Sequence, residues 1–165
     1  MGFTKAEDYS SVKIDEMDYK ILEVLLKNAR MKTVDIARKL KTTEIVVRYR
    51  IKKLKKDGII LGFRSFLNIN KLGYIYFKLH VTLQNLTPKD KEELVNYIHQ
   101  HPKTVYTTEL VGGADLETEF QVESNDEFYQ HLEELRKKFG RIIRDYEFMQ
   151  YTREYKFTYL PEIKF

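Results

Sequence analysis

The sequence predicts an α+β chain of two units, a small all-helical unit followed by a sheet with helices on one of its faces. Three observations predict it. Apolar residues recur at helical spacing as far as Gly58, the pattern turns to strict alternation from Tyr74, and the positive charge is concentrated before the change. Residues 1–73 carry 17 Lys and Arg against 9 Asp and Glu, and residues 74–165 carry 12 against 16, so the net +4 joins a +8 half to a −4 half.

The first helix is predicted from about Asp15 to Asn28, where Ile21, Leu22, Leu25 and Leu26 repeat at helical spacing one turn after Met17. The second is short. Thr33 is expected to cap it, Ile36, Ala37 and Leu40 form its buried side, and small Ala37 lets a neighbouring helix come close. Lys41 and Thr42 make the turn. Thr43 is then the N-cap of a third helix over Glu44–Asp57, ended by Gly58 at the C′ position. Val47, Ile51 and Leu54 give that helix one apolar stripe, while Arg48, Tyr49, Lys52, Lys53, Lys55 and Lys56 lie mostly off it. Residues 59–69 read as extended and supply a small β-wing, and Asn70–Gly73 is a turn-rich hinge. Two short helices, a tight turn, a glycine stop and a wing make a winged helix-turn-helix, the order that sets one helix in the major groove of DNA.

From Tyr74 to Gln84 the period is two, with Ile75, Phe77, Leu79, Val81 and Leu83 on one face and Tyr76, Lys78, His80 and Thr82 on the other. Thr87 and Pro88 open a helix whose apolar side is Leu94, Val95 and Ile98, broken at His101-Pro102. Val105–Val111 is a second strand, Gly112-Gly113 a turn and Leu116–Val122 a third strand. Ser124 and Glu127 read as a capping box for a helix that buries Phe128, Leu132, Leu135 and Phe139 and closes at Gly140. Ile142–Phe157 is a last, long, aromatic strand. Strand, helix, strand, strand, helix, strand is a ferredoxin-like βαββαβ unit, which leaves one sheet face bare for a second copy to cover in a two-fold dimer. Glu117 and Glu119 point to that bare face, as do Lys78 and His80 on the strand expected beside them, so it should be partly a layer of charge. The resulting division is a tail over 1–13, a DNA-binding domain over 14–63, an extended linker over 64–73 and a sensing and oligomerisation domain over 74–165.

The expected partner is double-stranded DNA. Base-edge contacts are assigned to the first turns of the third helix, through Thr43, Glu44, Ile45, Arg48, Tyr49 and Lys52. Phosphate contacts fall to Lys32, Thr33, Lys53, Lys55, Lys56 and Arg50, the last of which alternatively braces the helix. Other chemistry finds little support. The chain has no Cys, no phosphate-binding glycine loop, no nucleophile elbow and no HExxH pair, and its four His are scattered, so no metal, cofactor or catalytic residue is expected. No window approaches a membrane span and the N-terminus lacks an apolar export segment, which predicts a cytoplasmic protein without membrane contact.

The stretch IDEMDYKILEVLLKNARMKTVDIARKLKTTEIVVRYRIKKLKKDGIILGF resembles the N-terminal domain of the Lrp/AsnC family, the leucine-responsive or feast/famine transcription regulators. The segment LVGGADLETEFQV with the helix and strand after it resembles that family's sensing domain, and the likeness runs from about Ile14 to the end. It implies a DNA-binding regulator that dimerises through the sensing domains, often assembles further into octamers, and in many members responds to amino acids. The family's effector site uses a Gly-x-x-Asp turn, matched here by Gly112, Gly113 and Asp115, whose exposed N–H groups could hold a carboxylate while the Asp holds an ammonium. One departure is Lys41, where the family usually has Gly: a negative φ would accommodate it, at the expense of the family's turn geometry. Two rival classes share the layout. One is a sirohaem-decarboxylase-like enzyme, which would need a His/Arg cluster not seen here, and the other is an interaction module that binds a small molecule or protein and no DNA.

Overall fold

The computed structural model describes residues 11–155, 158, 160 and 161, and they fall into two compact units, residues 11–65 with the three C-terminal positions, and Phe66–Tyr155. The first unit holds helices α1 (Glu16–Lys27), α2 (Thr33–Lys39) and α3 (Glu44–Lys56). Asp15 opens α1 through a capping box, accepting from the Asp18 N–H at 2.9 Å while Asp18 accepts from the Asp15 N–H at 3.3 Å. Ile21, Val24, Leu25, Ile36, Ala37 and Val47 form the core between the three helices, with Ile51 packed against it. Thr43 caps α3 as expected, accepting from the Val46 N–H at 3.3 Å. At the other end Gly58 lies at φ +72°, the Ile59 N–H returns to the Leu54 carbonyl, and the Gly58 N–H returns to that of Lys55. These two bonds are a Schellman stop.

Four expectations for this unit need correction. Thr33 is not the cap of α2: Lys32 holds that position without a side-chain bond, and the Thr33 hydroxyl instead donates to Glu44 Oε1 at 2.8 Å. Lys41 does not take a negative φ. It sits at +53° in a second Schellman turn, with Thr42 N–H to the Ala37 carbonyl and Lys41 N–H to that of Arg38, so the turn is left-handed in spite of the lysine. The wing takes no strand conformation among the described residues: the Ile59 and Ile60 N–H groups return to the Leu54 carbonyl, and 60–68 runs on as irregular chain. Finally, residues 158, 160 and 161 belong with this unit and not with the sheet; the Tyr19 hydroxyl donates to the Pro161 carbonyl at 2.7 Å.

The second unit begins with a 3₁₀ turn at Ile69–Leu72 and continues as β1 (Ile75–Leu83), α4 (Pro88–Gln100), β2 (Thr104–Glu109), β3 (Leu116–Val122), α5 (Asn125–Phe139) and β4 (Ile143–Gln150). The sheet order is β2-β3-β1-β4 with every pair antiparallel. Phe77, Leu79 and Val81 of β1 and Leu116, Phe120 and Val122 of β3 meet Leu94 and Ile98 of α4 and Phe128, Leu132, Leu135 and Phe139 of α5. Both helices therefore cover one face. The expected strand to Phe157 stops at Gln150, opposite Phe77; the Tyr151 N–H still reaches the Tyr76 carbonyl, and β1, which starts at Ile75, offers no partner for a strand as long as the one expected. Tyr151–Tyr155 is not strand, and positions 156 and 157 lie outside the described residues. β2 likewise ends at Glu109, short of Val111. Ser124 accepts from the Glu127 N–H, but the box is not closed, because Glu127 reaches past Ser124 to the Glu123 N–H and to Lys103.

Candidate nucleic-acid interface

Helix α3 has three sides with different work. Val47, with Ile51 beside it, fixes the helix on α1 and α2, and Leu54 is buried on the same stripe. Arg50 leaves that side edgeways and bonds Asp15 at 2.7 Å and Asp18 at 2.8 Å, which holds the Asp15 carboxyl below its usual range and raises the guanidinium. The third side faces solvent. Ile45, Arg48, Tyr49 and Lys52 stand at i, i+3, i+4 and i+7, so they form one continuous exposed stripe.

The first turn of that stripe is organised by Glu44. Its Oε1 accepts the Thr33 hydroxyl from α2 and, at 2.5 Å, the Arg48 guanidinium one turn on; first Arg48 and then Thr33 hold the carboxyl below its ordinary pKa. The Thr43 hydroxyl is occupied as the cap. Lys52, Lys53 and Lys56 are exposed, with no acidic side chain at ion-pair distance among the described residues, and Lys55 lies 5.0 Å from the centre of the Phe63 ring. Lys32 is exposed at the start of α2. The structure thus gathers the expected base-edge residues on the open side of one helix, with Glu44 engaged by protein groups and Arg50 turned to α1.

The Gly-x-x-Asp turn lies in the other unit. Gly112 and Gly113 have φ of +87° and +75°, left-handed values that favour glycine. Asp115 is partly committed to the fold: its Oδ2 accepts from the Leu83 N–H at 2.6 Å, and its own N–H donates to the Val81 carbonyl. On the uncovered sheet face the register sets Lys78 opposite Glu119 and His80 opposite Glu117. Lys78 reaches Glu117 at 2.9 Å and Glu119 at 3.4 Å, His80 reaches Glu117 at 2.9 Å, and the Tyr76 hydroxyl donates to Glu119. Burial opposes charging Lys78, yet bonds to Glu117 and Tyr151 outweigh it and raise the ammonium.

The histidines are less scattered than the sequence implies. His101, at the end of α4, and His131, on the inner side of α5, meet with ring centroids 3.9 Å apart, and both nitrogens of His131 are buried without a hydrogen-bond partner among the described residues, Glu127 Oε1 standing 3.9 Å from Nε2. The position of His131 beside Phe128, Leu132 and Leu135 in the helical repeat is the signal that could have placed it inward. No cluster of three or more metal-ligating side chains is present among the described residues.

A family model described as winged helix-turn-helix DNA-binding matches residues 14–60. The chain is 49% identical over 61 residues to the HTH-type transcriptional regulator LrpA of Pyrococcus horikoshii, covering 37% of this chain and 43% of that protein. It is 31% identical over 110 residues to the proline dehydrogenase transcriptional activator of Rhizobium radiobacter, covering 66% of this chain and 70% of that one. The chain spans between 43% and 57% of the length of the first curated relatives it matches. A transcriptional regulator from Neisseria meningitidis, solved in complex with L-Met, has the same fold, with TM-score 0.81 at 19% identity over 90% of this chain and 97% of that one. No helix of the described residues is long and apolar enough to cross a membrane.

Proposed function

The chain belongs to the Lrp/AsnC family of transcriptional regulators, and from that premise we propose that it is a sequence-specific DNA-binding regulator acting as a homodimer or higher oligomer. The observation that carries the reading is the stripe of Ile45, Arg48, Tyr49 and Lys52, exposed along a capped and stopped helix whose opposite side is buried. Side chains presented this way bury little on folding, and a duplex groove is the surface that fits a cationic, hydrogen-bonding helix. In this reading residues 14–63 bind DNA, 64–73 link and the sheet unit senses and assembles. Ile45, Arg48, Tyr49 and Lys52, with Thr43 and Glu44 at the helix start, face base edges, while Lys32, Thr33, Lys53, Lys55 and Lys56 face phosphates. Arg50 braces α3.

The bare sheet face is covered by a second copy, which fixes the spacing of two recognition helices at one duplex turn or a multiple of it. The seam it makes is polar, since each copy brings the Lys78, His80, Glu117 and Glu119 layer. An amino-acid effector at the Gly112, Gly113 and Asp115 turn is supported by the left-handed glycines, by the free Asp115 oxygen and by the L-Met complex of the Neisseria regulator. The protein works without catalysis, in the cytoplasm, by occupying promoter DNA and by assembling on it. The test is binding of the full chain to duplexes selected from a random pool, repeated across a salt series and with single amino acids added. Tight binding that weakens steeply with salt is expected, and no affinity for any duplex at low ionic strength would overturn the reading.

A further inference from the structure

We infer that Ile45 and Tyr49 read thymine methyl groups, so that the target half-site contains thymines at the base pairs these two side chains face. The inference deepens the proposed DNA binding and rests on it. Ile45 is 81% exposed and Tyr49 67% exposed, in a helix whose core stripe is already filled by Val47 and Leu54. A β-branched residue in the first turn lowers helix propensity and, left in water, returns none of the burial energy an isoleucine offers. Folding therefore does not account for it.

Its surroundings narrow the partner. On the same stripe stand Arg48 and Lys52, and a protein groove that took Ile45 would have to strip water from both cations. The major groove makes no such demand. There the C5-methyl of thymine is the one apolar group of the base edges, and it lies among guanine N7 and O6 acceptors and between rows of phosphate. Ile45 is the second residue of α3, in the end of a recognition helix that meets base edges. Arg48 is drawn to Glu44, which leaves the isoleucine branches open. Tyr49 follows four residues on, about 6 Å along the axis at 1.5 Å per residue, which is about two base-pair steps of 3.4 Å.

The test uses the full-length protein and the duplex recovered by selection. Each thymine of a half-site is replaced in turn by deoxyuridine, which deletes the methyl and keeps the hydrogen-bonding edge, and Kd is measured by fluorescence anisotropy for wild type, Ile45→Ala and Ile45→Val. At one position the replacement is expected to weaken wild type about fourfold, the worth of one buried methyl-sized group. Ile45→Ala should lose about as much on the unmodified duplex and become indifferent to deoxyuridine there, whereas Ile45→Val should keep most of the sensitivity. Tyr49→Ala should abolish a second sensitive position about two base pairs away. Duplex binding with no thymine sensitive to the methyl, or with sensitivity unchanged in Ile45→Ala, overturns this inference and leaves the proposed function standing. Absence of duplex binding by wild type overturns both.

Discussion

Arg50 of α3 and Asp18 of α1 meet at 2.8 Å, and Asp18 is only 2% exposed. The guanidinium also takes Asp15 at 2.7 Å, so one side chain closes the gap between the recognition helix and the cap of the first helix. Removing it strands a buried carboxylate. Loss of one partner of a buried pair costs about 3–5 kcal/mol, and since Arg50 keeps a quarter of its surface in water, Arg50→Ala is expected to cost roughly 2–3. Arg50→Lys should recover only part, because an ammonium has no planar fork to span two carboxylates. Amide exchange in α1 and α3 of the full chain measures it, and protection equal to wild type in Arg50→Ala would remove the bracing role.

Arg48 and Lys53 lie on the same helix and should fail differently. Arg48→Ala is expected to cost about 1–3 kcal/mol on the selected duplex and much less on random DNA, as the proposed base-edge contact requires. Lys53→Ala should weaken both alike and lower the slope of log Kd against log salt by about 0.9, one phosphate contact. Titrations of each variant on both duplexes at several salt concentrations check the contrast; equal losses on both duplexes for Arg48→Ala would count against its place at the bases.

Much of this was legible because it is local. The cap at Thr43 and the stop at Gly58 depend on bonds within a few residues, and the alternation of Ile75–Leu83 fixes which side chains share a face. Knowing that β1 neighbours β3 then brings Lys78 and His80 to Glu117 and Glu119 by parity alone. What the pattern could not give depends on distant groups. Thr33 reads as a cap until Glu44, eleven residues later, is seen beside its hydroxyl. Tyr151–Tyr155 has the composition of strand, yet β4 ends at Gln150, opposite Phe77, and β1 has only two residues left beyond that pair. Asp115 reads as a free ligand for an ammonium, but half of its carboxylate secures Leu83.

Lys41 at φ +53° holds the C′ position of a Schellman turn, where a Cβ crowds the following carbonyl. An L residue there costs roughly 1–2 kcal/mol, and glycine gives back part of the relief as extra chain entropy in the unfolded state. Lys41→Gly is therefore expected to stabilise the helical unit by about 0.5–1 kcal/mol. Lys41→Ala, which removes the charge and keeps the Cβ, should stay near wild type. The comparison of the two in amide exchange of α2 and α3 separates backbone relief from charge, and a gain in the alanine variant equal to that in glycine would assign the effect to charge.

His101 supplies a pH dependence to the sheet unit. Burial, then neighbouring His131, pushes its imidazole below the ordinary value of 6.5, against the opposing pull of Glu134 and Glu127 and with a small further push from Lys103. Its Nδ1 accepts from the Lys103 N–H at 3.3 Å, a bond only the neutral ring can make. Because the folded ring takes a proton less readily than the unfolded one, the unfolded state binds more protons between the two values, and stability rises with pH across that window. As pH falls through 6.5 toward the lower folded value, the sheet unit should lose stability, and the loss should level off below it. His101→Asn keeps an acceptor for the Lys103 N–H and cannot titrate, so its stability should change less with pH over the same range. Urea unfolding followed by the aromatic signal at a series of pH values compares the two, and parallel curves for wild type and His101→Asn would show that the acid sensitivity of the unit comes from another group.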